Sequence, residues 1–232
     1  MTDGNEIHTP FVMSALDVKT SFLNKLDYCP QKLKKRIQDF RMRGTTAHIN
    51  FYLNDNSHEV LGEMSTANRQ FLCSTIDNLE RSFDPIKYKE LPEQPLIEIM
   101  YSKEHSHISA LVHFVPYQLK EDWNTSSKTQ LCKTVVQAIQ NNFPGFSDCI
   151  EDSDLSSPQD IENMFEIWGG QLHYGEFGLD QVIMRPVPEL IDYTTPFNNL
   201  FLCSGSMHPG GLLTGVAPRL ASKKLINAAG KR

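Results

Sequence analysis

The stretch Leu200-Phe201-Leu202-Cys203-Ser204-Gly205-Ser206-Met207-His208-Pro209-Gly210-Gly211-Leu212-Leu213-Thr214-Gly215 decides how this chain is read. Its first four residues are a short apolar run, the pattern of a buried strand. Three glycines and a proline follow between positions 205 and 211. Beyond them Ala217, Leu220, Ala221, Leu225 and Ala228 recur at helical spacing, which predicts a closing helix. Glycine lacks Cβ, so such a loop lets backbone approach a ligand closely. The free N–H groups at the start of the helix favour negative charge in the same place. A flavin, with its pyrophosphate and electron-rich pyrimidine edge, fits there. Many other anions fit equally, and an ordinary turn with a helix cap produces the same pattern.

The 232 residues suffice for one large domain or two small ones. The apolar and charged fractions, 40% and 22%, are those of a water-soluble globular protein. No apolar run approaches the length needed to span a bilayer. The first residues, Met1-Thr2-Asp3-Gly4-Asn5-Glu6, have no basic segment followed by an apolar one, so no secretory signal is expected. A net charge of −6 argues against a general nucleic-acid binder. The five cysteines are widely spread and form no Cys-x-x-Cys pair, which predicts buried thiols in a reducing, cytoplasmic setting.

Asp3-Gly4 is a hairpin-turn signal followed by a strand, roughly Ile7 to Ser14. Only Met1 and Thr2 precede the turn. Either the chain enters in the middle of a sheet or this is a loose terminus. Leu33, Ile37 and Phe40 share a helical face, with Pro30 at the helix start and Lys32, Lys34, Lys35 and Arg36 on the other faces. That basic cluster reads more readily as a solvated face than as a phosphate or acidic-partner site. Three segments alternate with period two: Thr46–Leu53, Pro95–Tyr101 and His107–Val115. Each is expected to bury one face. The predicted unit is a mixed or antiparallel sheet with helices on one side, whose other, more polar face either walls a substrate cavity or meets water. Ile76, Leu79, Glu80 and Phe83 predict a short helix ended near Asp84-Pro85. Leu131, Val135, Ala138 and Ile139 predict a longer one stopped by Phe143-Pro144-Gly145. Ser157-Pro158 opens another, with serine as the cap and Asp160 and Glu162 at its positive end. From Trp168 to Tyr193 glycines and prolines predict ordered loop. The fold class expected is α/β in the α+β sense.

Eight histidines raise the question of a metal, with His105, His107 and His113 close together, but no cysteine or acid stands at a familiar ligand spacing, and no metal is expected. Cys203 and His208 lie five residues apart across a turn, which is not a nucleophile–base geometry; a buried thiol is the better reading. Neither a Gly-x-Ser-x-Gly elbow, nor a Walker loop, nor a Gly-x-Gly-x-x-Gly dinucleotide fingerprint is present in the sequence.

Several blocks, in order, resemble the C-terminal part of the phytoene-desaturase-like FAD-dependent oxidoreductases: Ser14-Ala15-Leu16-Asp17, Arg43-Gly44-Thr45-Thr46-Ala47, Leu79-Glu80-Arg81, Gly169-Gly170, Tyr174-Gly175-Glu176, Leu179-Asp180-Gln181, Arg185-Pro186-Val187-Pro188, Tyr193-Thr194-Thr195-Pro196, Leu200 to Cys203, and His208-Pro209-Gly210-Gly211. The resemblance implies residues 1–17 as an edge strand of a flavin domain, 18–195 as a substrate domain, and 196–232 as the returning strand, glycine loop and helix of an incomplete Rossmann-like FAD domain. It implies that Ser204, Gly205, His208, Pro209, Gly210, Gly211, Leu212 and Gly215 contact FAD, the last helix starting at the pyrimidine edge. The main nucleotide cradle would be encoded in a missing N-terminal half. The reaction implied is desaturase- or amine-oxidase-like hydride transfer from a small-molecule substrate to flavin, with no residue assignable as catalytic. A separate FAD-binding chain or self-association is the implied partner. The family has glycine where Ser204, Ser206 and Leu212 stand, and serine at Gly205. The competing expectation is a non-catalytic remnant or binding module that no longer holds FAD.

Overall fold

The computed structural model describes residues 4–62, 69–73, 75–102, 104, 106–211 and 214–230. Asp3 of the expected turn, His105 and the expected flavin contact Leu212 lie outside the described residues. The chain forms two units, Gly44–Gly170 and Met1–Arg43 with Gln171–Arg232. Both parallel and antiparallel sheets occur together with helices, an α+β fold.

In the described order the strands are β1 (Val12–Ser14), β2 (Thr46–Leu53), β3 (Gln70–Leu72), β4 (Leu96–Ser102), β5 (His107–His113), β6 (Ile150–Ser156) and β7 (Leu200–Leu202). The helices are α1 (Gln31–Asp39), α2 (Ser57–Val60), α3 (Ile76–Phe83), α4 (Thr125–Asn142), α5 (Pro158–Phe165) and α6 (Val216–Ala229). No helix among the described residues is long and apolar enough to cross a membrane.

The unit Gly44–Gly170 is built on a five-stranded sheet of order β3-β4-β5-β2-β6, antiparallel at every pairing. Its register follows the alternation in the sequence: Ile49 opposes Ala110 and Ala110 opposes Ile99, so one face is continuous hydrocarbon. Ala47, Ile49, Phe51, Ile97, Ile99, Ile108 and Val112 on that face join Leu131, Val135 and Ile139 of α4 in one core. Their spacing of four residues puts these three on one stripe of the helix. Asn124 caps α4 through a reciprocal box with Ser127, satisfying amides that the helix itself leaves open. Ser157 caps α5 in the same way with Asp160, and Pro158 occupies the first turn. The unit closes where the Gly44 N–H donates to the Gly169 carbonyl at 2.7 Å. Gly170, at φ +60°, lies so close to α5 that a Cβ would stand 1.9 Å from the Pro158 carbonyl oxygen.

The other unit carries a two-stranded parallel sheet, β1 against β7, with Val12 opposite Leu200 and Ser14 opposite Leu202. The strand expected over Ile7 to Ser14 is therefore confined to its last three residues. Pro10 offers no N–H to a ladder, and β7 presents only three residues to pair. After β1 the chain turns on Asp17, whose buried carboxylate accepts from the Thr20 N–H at 2.9 Å and from the Thr20 hydroxyl. Residues 20–24 form a wide π-type turn, and α1 follows, burying Leu33 and Ile37.

Most of the segment from 171 to 193 has no regular structure, yet it is fixed. The Arg41 guanidinium grips the Asp180 carboxylate with two bonds of 2.7 Å and reaches Glu176 with Nε at 3.0 Å. The Gln181 amide donates to the carbonyls of Arg41 and Glu176. Arg41 holds the Asp180 carboxyl down at about 2. The basic cluster on α1 contributes one ion pair here, Arg36 with Glu189 at 3.0 Å.

Candidate functional site

The glycine loop follows β7 and returns to the start of α6. Ser204, Gly205, Gly210, Gly211 and Gly215 border a cavity of about 600 Å³, together with Cys203, Thr214 and the first turn of α6, Val216, Ala217 and Pro218. Ala15, just past β1, and Leu172, His173 and Tyr174 complete its lining. The size lies within the roughly 300–1,000 Å³ range of small-molecule sites. Of the residues expected to contact flavin, those five line the cavity. His208 and Pro209 are exposed and are not part of the lining; the His208 carbonyl instead accepts from the Tyr193 hydroxyl at 2.8 Å.

The loop is shaped by contacts distant in sequence. The Ser206 hydroxyl accepts from the Val18 N–H at 3.1 Å and donates to the Tyr174 carbonyl at 3.0 Å, and it is fully buried. The Ser206 N–H in turn donates to the Ser204 hydroxyl. Ser204 and Ser206 therefore both use their hydroxyls inside the protein. Gly205 packs under Tyr174, where a Cβ would come within 3.0 Å of the ring. Gly210, at φ +91°, backs onto the Arg185 side chain.

Arg185 is completely buried. Its guanidinium donates to the carbonyls of His173 at 2.8 Å, Gly175 at 3.1 Å, Glu176 at 3.1 Å and Gly205 at 3.2 Å. The ring of Phe177 covers it, 4.7 Å from its centroid. Burial pushes its pKa down to about 10, which leaves it charged at neutral pH. The Arg185-Pro186-Val187-Pro188 block was legible only as part of the resemblance. Nothing in its spacing announced that the arginine turns inward and ties the 173–176 backbone to the glycine loop.

The electrostatics of the cavity are one-sided. Among the described residues no aspartate or glutamate lines it. The N-terminus of α6 carries neither a side-chain cap nor an acidic residue in its first turn. The Thr214 hydroxyl accepts from the Val216 N–H at 3.4 Å, and the partial positive end of a 14-residue helix begins at the cavity wall. Pro218 lies within that first turn, where its missing N–H costs no helical bond. The residues present suit a planar ring with an electron-rich edge: glycine backbone on one side, a helix N-terminus at the end, and the Tyr174 and His173 side chains beside it.

Cys203 and His208 do not act as a pair. The Cys203 thiol donates to the Ser14 carbonyl at 3.3 Å, and burial raises its pKa. The His208 ring lies 3.4 Å from the Val182 carbonyl. The structure gives no activated thiolate at this position.

The open face of the five-stranded sheet is the second concentration of polar chemistry. His48 Nε2 lies 2.7 Å from Ser109 Oγ, and His107 Nε2 lies 3.0 Å from Asn50 Oδ1. Farther along, buried Glu98 meets Arg69 at 2.6 Å and His113 at 3.3 Å. Burial, then the neighbouring His107, lowers the His48 pKa, against a smaller opposite push from Asp154. His107 and His113 share a strand face, as alternation predicts, but about six residues of strand separate them, roughly 20 Å at 3.3 Å per residue. Among the described residues no group of three or more His, Cys, Asp or Glu is placed to hold a metal ion.

No family model matches the chain. Over nearly its whole length, however, it is similar to curated mammalian proteins. The mouse (Mus musculus) pyridine nucleotide-disulfide oxidoreductase domain-containing protein 2 is 26% identical over 245 aligned residues, covering 96% of this chain and 42% of the relative. The rat (Rattus norvegicus) protein of the same name is 26% identical over 242, covering 94% and 42%. The chain thus spans about two fifths of the length of these relatives. Their shared name is that of an oxidoreductase family, and the similarity includes both the sheet and the glycine loop.

Proposed function

We propose that this chain is part of a flavin-dependent oxidoreductase, and that the glycine loop and the start of α6 receive the isoalloxazine ring. The observation that carries the reading is the cavity of about 600 Å³ bordered by Gly205, Gly210, Gly211 and the first turn of α6, with no acid in its lining among the described residues. The similarity to oxidoreductase relatives over nearly the whole chain supports it. Residues 1–17 and 196–232 belong, in this proposal, to a flavin domain, and the intervening residues to the substrate.

Bound there, flavin would supply two-electron chemistry. That chemistry would be the oxidation of a substrate C–C or C–N single bond to a double bond. The chain's own contribution is to present backbone amides to the ring edge, where reduction adds negative charge. The Gly-x-Gly-x-x-Gly cradle for the pyrophosphate is not in these residues and would come from a separate segment. For the substrate, the polar face carrying His48, Asn50, His107 and Ser109 offers donors and acceptors in fixed pairs.

The test is co-expression of the chain with the part of the mouse relative that it does not match. The expected result is a yellow, stoichiometric complex with a flavin spectrum. A folded but colourless complex would favour a binding module without flavin.

A further inference from the structure

Arg185 is the largest side chain with no solvent exposure, and among the described residues no carboxylate lies within ion-pair distance of it. The nearby Glu176 turns its carboxylate to Arg41 and Arg43 and gives Arg185 only its backbone carbonyl. A buried charge without a counter-ion is costly, and carbonyl dipoles cover it only in part. The guanidinium lies directly behind the cavity wall: Nε and Nη2 both point at the Gly205 carbonyl, and a Cβ on Gly210 would stand 2.8 Å from Nε. In front of that wall is the cavity, with no acid among its described lining residues, and at its end the N-terminus of α6.

We propose that Arg185 is the positioning residue of this cavity and sets its charge preference, so that the cavity takes a planar aromatic ligand as the anion rather than as the neutral molecule. Arg185 does so from behind the wall. Its Nε–H and Nη2–H donate to the Gly205 carbonyl and hold that oxygen away from the ligand, and among the described residues no carboxylate pairs with its charge. In a low-dielectric wall such a charge acts more strongly than it would in water. The inference rests on the flavin reading for the identity of the natural ligand; there it means that the reduced, anionic ring is held more tightly than the oxidised one.

The test uses 4-nitrophenol, a planar probe whose colour reports its ionisation, added to the full chain. The expected result is that its ionisation midpoint falls on binding by about one pH unit, a tenfold preference for the anion, with resonances of Gly205, Gly210 and Gly211 perturbed. A midpoint that is unchanged or raised, or no perturbation at those glycines, overturns the proposal. Arg185→Lys, which keeps the charge, is expected to retain most of the shift, and Arg185→Gln to abolish it. A purely structural role would weaken both ionisation forms alike in both variants. Should Arg185→Gln fail to fold, the midpoint in the unmodified chain still decides. Riboflavin that fails to bind while the nitrophenol midpoint falls removes the flavin reading and leaves this proposal. Riboflavin that binds beside an unshifted midpoint does the reverse.

Discussion

A Cβ built on Gly210 would stand 2.8 Å from Nε of Arg185 and 3.0 Å from the ring of Phe177. The backbone of the glycine loop therefore lies against the buried guanidinium with no space for even a methyl group. Gly210 also holds φ +91°, which L-residues rarely adopt.

Gly210→Ala is expected to destabilise the protein by about 1–3 kcal/mol, from backbone strain and the displaced arginine together. Gly62→Ala is the control, because among the described residues a Cβ there meets nothing within 4 Å. It is expected to leave the urea midpoint nearly unchanged. Equal effects of the two substitutions would contradict the close approach.

The α5 cap provides a second check. Ser157→Ala removes a hydroxyl that accepts from the Asp160 N–H, and is expected to cost about 1 kcal/mol. Burial alone would raise the Asp160 pKa, but Lys128 at 2.6 Å and the Ser157 bonds outweigh it and lower the value. A carboxylate with a depressed folded pKa stabilises the fold above its unfolded value, near 4, and that contribution is lost as pH falls through the folded one. Asp160→Asn is therefore expected to weaken the protein at neutral pH and to flatten its loss of stability below about pH 4. An acid limb as steep as in the unmodified chain would contradict this.

On the open sheet face His48 is expected to titrate, by imidazole NMR, below the ordinary value of about 6.5. Its neutral form is the one the fold favours, so this contribution to stability is present above the unfolded pKa and declines as pH falls toward the folded one. His107→Gln is expected to raise the midpoint by removing a like charge, and Asp154→Asn to lower it by removing an opposite one. Shifts of the opposite signs would show that the two groups do not act on His48 through their charges.

Elements with strong periodicity were legible in the sequence. The alternation of Ala47, Ile49, Phe51 and Leu53, and the four-residue spacing of Leu131, Val135 and Ile139, reflect burial against one continuous core. β6 was not, because Ile150-Glu151-Asp152-Ser153-Asp154-Leu155-Ser156 has too many acids to read as a strand. Among the described residues it pairs with β2 alone, as an edge, where exposed acids are tolerated and discourage further pairing. β3, at three residues, is too short to carry a period. In the glycine loop, residue types revealed where backbone comes close to a ligand-sized space. They could not reveal Tyr174, His173 and Arg185 beside it, since these arrive from a segment whose order comes from long-range bonds such as Arg41 to Asp180.

The cavity bordered by Gly205, Gly210 and Gly211 is proposed to accept a flavin ring. The most direct test is titration of riboflavin into the nitrogen-labelled chain while backbone amide resonances are followed. The account predicts saturable perturbations at Gly205, Gly210, Gly211 and Gly215, with quenching of the flavin fluorescence, both removed by Thr214→Trp, which fills the cavity from an exposed position. Perturbations centred on the sheet, or none at saturating riboflavin, would contradict it.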